Sequence, residues 1–73
     1  GLGRSKYSEL TMTVFDFIVS QERATRSEIL RKFYLDVDDY TLDIISKTLV
    51  AMKAISITYD TTNNEVIYTL IAQ

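Results

Sequence analysis

Seventy-three residues with 47% hydrophobic, 25% charged and 11% aromatic side chains make one domain, near the lower size limit for folding without staples. The chain has no cysteine and no histidine, which excludes disulfides, thiol nucleophiles, imidazole bases and nearly all zinc sites, and leaves carboxylates as the candidate metal ligands. A net charge of −2 and a pI near 4.9 argue against strong nonspecific attraction to nucleic acid, whose affinity comes largely from counterions released by lysine and arginine.

In chain order, GLGRS carries no initiator methionine. Residues 1–5 read as a tag remnant or disordered arm on a fragment of a longer protein, and residues 6–73 as the domain. Ser5 or Ser8 can cap a first helix, in which Tyr7, Leu10, Val14, Phe17 and Ile18 recur at spacings of three and four through SELTMTVFDFIVSQE. The polar SQERAT ends it. Thr25 with Glu28 forms a T-x-x-E capping box opening a short second helix in TRSEILRKFY, where Ile29, Leu30 and Phe33 share a face.

LDVDD breaks that helix, and Asp38 is placed to cap a third running to about Lys53, with Leu42, Ile45, Leu49 and Met52 facing inward. Asp36, Asp38 and Asp39 suggest either an acidic cation site or ordinary capping at the positive end of a helix; capping suffices to explain them. From Ala54 on, ISITY, the polar DTTNN and EVIYTLI predict a β-hairpin, with Asn63 and Asn64 suited to a turn without glycine. Residues around Arg23 to Thr25 are expected to pair with it as a third strand. Phe15, Phe17, Phe33, Tyr59 and Tyr68 are expected to fill the core and the cross-strand contacts.

Taken together, ATRSEILRKF, DDYTLDIISKTLVAMKAISI and the closing hairpin resemble the winged helix-turn-helix superfamily across residues 6–71. The resemblance implies an α+β fold, a small three-helix winged helix with a C-terminal β-hairpin wing. In that family the third helix commonly ends in a leucine, two spacers, an apolar residue and a glycine before an aliphatic strand residue; Leu49, Met52 and Ile55 fit. Ala54 stands where the glycine is usual, and a left-handed alanine there would cost roughly 1 kcal/mol.

The resemblance also implies that the third helix enters the DNA major groove by its outward face while the wing tip touches the neighbouring backbone. The chain would then be the DNA-binding domain of a larger transcription or replication factor, with Arg23, Arg26, Arg31, Lys32, Lys47, Thr62 and Asn63 as contacts. The amino-terminal arm with Arg4 and Lys6 is a further candidate.

Charge opposes the usual pose. The outward face of the third helix carries Asp39, Tyr40, Asp43, Ile44, Lys47, Val50 and Ala51, and a carboxylate held against phosphate costs on the order of 1 kcal/mol. The alternative is a winged helix that docks a protein partner, through Asp39, Tyr40, Asp43, Ile44, Lys47 and Val50 or by strand addition at the hairpin edge. Fold analogy favours the first reading and the charge pattern the second.

No nucleophile-base pair or glycine-rich phosphate loop is present, so the expectation is a non-catalytic module without cofactor, metal or small-molecule substrate. Short, interrupted apolar runs and the lack of a signal pattern predict an intracellular protein that does not enter a membrane.

Overall fold

The computed structural model describes residues 6–72. The tag or arm at residues 1–5, the Ser5 cap and Arg4 lie outside the described residues. The elements are α1 (Lys6–Gln21), β1 (Arg23–Thr25), α2 (Arg26–Lys32), α3 (Asp39–Ala51), β2 (Ile55–Asp60) and β3 (Glu65–Leu70). Three helices thus pack with a three-stranded antiparallel sheet of order β1-β3-β2, in which the β2-β3 hairpin takes the place of the wing.

The helix boundaries follow from local chemistry. Thr25 caps α2 through a complete capping box: its Oγ1 accepts from the Glu28 N–H at 3.1 Å, and the Glu28 carboxylate accepts from the Thr25 N–H at 2.8 Å. Asp38 caps α3 by accepting from the Thr41 N–H at 2.8 Å. α1 ends at Gln21, and Glu22 after it is left-handed, with φ 64°. β1 follows at once and pairs with β3 in the register Ala24↔Tyr68.

Val14 and Ile18 of α1, Ile29 of α2, Leu42, Ile45 and Leu49 of α3, Ala24, Ile55 and Tyr68 of the sheet and Val37 of the α2-α3 turn form the buried core. Leu10, Phe15, Phe17, Leu30 and Phe33 pack around it. Phe17 and Phe33 meet edge to face, with centroids 5.6 Å apart. Tyr59, expected to pack, is instead exposed on the wing.

Two expectations for α3 are corrected. The helix stops at Ala51, short of Lys53, and Met52 is 65% exposed where it was expected to face inward. Lys53 takes the left-handed conformation, with φ 61°. Its N–H bonds to the Val50 carbonyl at 2.9 Å and that of Ala54 to the Leu49 carbonyl at 3.0 Å, the pattern of a Schellman turn. That reversal swings Met52 off the apolar stripe and brings Ile55, 1% exposed, into the core in its place. The left-handed position is therefore Lys53, and Ala54 does not take that conformation.

Candidate interaction surface between the third helix and the wing

Arg26, the first residue of α2, is oriented by the Thr25 cap so that its side chain crosses to α3. Nη2 donates to Asp39 Oδ1 at 2.7 Å, to Asp43 Oδ1 at 2.9 Å and to the Asp39 carbonyl at 3.0 Å; Nε also reaches Asp39 Oδ1, at 3.1 Å. Nη1 donates to the Tyr68 hydroxyl at 2.7 Å. One guanidinium thus joins α2, α3 and the central strand. Burial works against its charge, but the hydrogen bonds it donates to Asp39 and the contact with Tyr68 outweigh that and raise its pKa above the ordinary arginine value.

The chain of bonds continues inward. Ser46 Oγ donates to the Leu42 carbonyl at 2.6 Å, which uses its single proton, so the Tyr68 hydroxyl must be the donor in their 2.8 Å contact. Tyr68 then accepts from Arg26 and gives to Ser46, and both buried hydroxyls are satisfied.

Above this network, α3 and the wing enclose an open groove of about 480 Å³. Val50 and Ala51 of α3 form one wall, and Ile57 of β2 with Val66 and Tyr68 of β3 form the other. Arg26, Asp43, Lys47 and Ser46 complete the lining. Strand alternation explains the second wall. The pairs Ile57↔Tyr68 and Tyr59↔Val66 put these four side chains on one sheet face, and α3 is too short to cover all of it. Val50 and Ile57 remain 43% and 38% exposed.

Of the residues singled out in the sequence, Arg26, Asp43, Lys47 and Val50 meet in this groove, and Asp39 joins through Arg26. Tyr40 is exposed and Ile44 half-buried on the same helix, but neither lines the groove. Arg31 and Lys32 are exposed in the last turn of α2, with the Lys32 ammonium 5.9 Å from the centre of the Phe17 ring.

Arg23 and Asn63 line a different recess, together with the carboxylates of Glu28, Asp60 and Glu65. In the wing loop the Thr62 and Asn63 N–H groups and the Asn63 side-chain amide all donate to Asp60, at 3.0, 3.3 and 2.8 Å. These donors face their own carboxylate. The Asn63 amide, above all, holds the Asp60 pKa below the ordinary value. Thr41 does the same for Asp38 and Thr25 for Glu28, each chiefly through a backbone N–H.

Ile57, Val66 and Ser46 were not singled out in the sequence, and Tyr68 was expected only as a packing residue, which its burial bears out. The signal that could have found the wall is the alternation in ISITY, which sets Ile55, Ile57 and Tyr59 on one face. Among the described residues, no group of three acidic side chains is placed to hold a metal, and no helix is long and apolar enough to cross a membrane.

No family model, curated protein or solved structure matches the chain.

Proposed function

We propose that this domain is a non-catalytic binding module that docks an apolar segment of a protein partner in the groove between α3 and the wing. The lining of the groove carries the proposal: Val50, Ala51, Ile57, Val66 and the ring of Tyr68 make it mainly apolar, and its charged members are Arg26, Asp43 and Lys47, of which Arg26 and Asp43 are paired with each other. Apolar walls with a few polar groups suit the side chains of a peptide. To a phosphate backbone the same lining offers Lys47 as its sole cation outside an ion pair, because Arg26 is bound to Asp39 and Asp43.

DNA binding by a domain of a transcription or replication factor is the second reading, and the same arginine favours it. By neutralising Asp39 and Asp43, Arg26 lowers the repulsion those acids would exert on phosphate, while Arg31, Lys32 and Lys47 stay exposed.

Two measurements on the 73-residue chain separate these readings. One is selection of a displayed random-peptide library on the immobilised domain; the other is anisotropy of a labelled duplex at two salt concentrations. Groove docking gives enriched peptides with spaced apolar residues, whose binding Val50→Asp abolishes without lowering Tm, and no duplex binding at low salt. Duplex affinity that falls linearly with log salt, and weakens on charge reversal at Lys47 or at Arg31 and Lys32, would overturn it in favour of DNA.

A further inference from the structure

β2 is an edge strand. In the order β1-β3-β2 it pairs on one side with β3, and among the described residues no strand pairs with its other side. Natural edges are usually blunted by lysine, proline, a bulge or shortness. Ile55-Ser56-Ile57-Thr58-Tyr59 has none of these: it is uncharged, largely β-branched or aromatic, and lies in a six-residue strand paired with β3 along its whole length. Ser56, Ile57, Thr58 and Tyr59 are all exposed.

The segment also reads alike in both directions about Ile57. Apolar residues alternate with hydroxyl residues, so an antiparallel copy centred on Ile57 sets Ile57 against Ile57, Ile55 against Tyr59 and Ser56 against Thr58. Each is a cross-strand pair that stabilises sheets: aliphatic with aliphatic, β-branched with aromatic, hydroxyl with hydroxyl. No like charges face one another, and Asp60 of one copy comes beside the Lys53-Ala54 end of the other.

We propose that β2 pairs with β2 of a second copy across a two-fold axis normal to the sheet, joining two three-stranded sheets into one of six strands. This goes beyond the docking of a partner in the groove and does not depend on it. The axis keeps like faces together, so the two grooves open on the same side of the joined sheet. A contact along one six-residue edge covers much less than the ~1,600 Å² of a standard interface, which places the association among weak, transient ones.

Sedimentation equilibrium of the 73-residue chain from about 10 μM to 1 mM tests this, a window suited to a weak, transient contact. The average mass should rise with concentration from 8.4 kDa toward twice that value. Ser56 and Thr58 are exposed on the face away from the groove, so changing them leaves the groove walls intact. The double variant Ser56→Lys/Thr58→Lys sets lysine against lysine at both pairs and should weaken association at least about tenfold. Ser56→Lys/Thr58→Glu sets lysine against glutamate and should associate at least as tightly as the parent chain. Wild-type mass that stays at 8.4 kDa throughout, or equal association of the two variants, would overturn the proposal. Either result leaves the peptide and duplex measurements untouched.

Discussion

Replacing Arg26 with methionine keeps most of the aliphatic stem and removes the guanidinium that ties α2 to α3 and β3. Arg26 is 18% exposed at its side chain, but its partners Asp39 and Asp43 are 78% and 59% exposed. Once released, both carboxylates rehydrate, so the large penalty of an orphaned buried charge does not arise. The Tyr68 hydroxyl keeps its bond to Ser46.

What is lost is a charge-assisted bond to a buried hydroxyl and a partly screened pair of ion contacts. Asp39 and Asp43, four apart on one helix face, also repel once unmasked. Together these come to about 2 kcal/mol, from roughly 1 for the hydroxyl bond, under 1 for the exposed pairs and a few tenths for the repulsion. In a domain of this size that is a fall in Tm of roughly 10 °C. Urea unfolding followed by far-UV circular dichroism, in low salt and in 1 M NaCl, measures it. Asp43→Asn in the Arg26→Met background should recover the repulsive part at low salt only. A loss below about 0.5 kcal/mol would show the network to be incidental, and one above about 4 would mean that the carboxylates are effectively buried.

Lys53→Gly should stabilise by about 0.5–1 kcal/mol, because it relieves a left-handed non-glycine residue, whereas Ala54→Gly should destabilise by a similar amount through chain entropy alone. The reverse order in thermal melts would put the left-handed residue at position 54. Glu28, Asp38 and Asp60 have depressed pKa values, so the folded state binds their protons less readily than the unfolded one. Their contribution is complete above the unfolded carboxylate range near pH 4–5 and is lost as the pH falls through the folded values. The urea midpoint should therefore be flat from neutrality to about pH 5 and drop below it; a midpoint that rises toward acid contradicts the capping account.

The parts of this fold written in adjacent residues could be read directly. The Thr25-Glu28 box, the Asp38 cap, the stripe of α1, the alternation of both hairpin strands and the short strand at Arg23–Thr25 each need only a few neighbouring side chains. The end of α3 could not be read this way. A Schellman turn on Lys53 carries no glycine to announce it, so the apolar spacing ran on to Met52. Arg26 looked like any other surface cation because its partners lie 13, 17 and 42 residues away. The groove was half legible: Val50, Asp43 and Lys47 were visible as one helix face, but the opposing wall comes from strands that only the folded topology brings beside them.

Thr25 is both the last residue of the shortest strand and the cap of the helix that follows, so no spacer separates sheet from α2. β1 is in turn paired with β3 of the wing, so a tilt of the sheet would pull on α2 and on the bonds of the Arg26 guanidinium to α3. If the groove docks a peptide as proposed, its two walls are thus linked before binding, and the entropic toll of ordering would fall mainly on the guest.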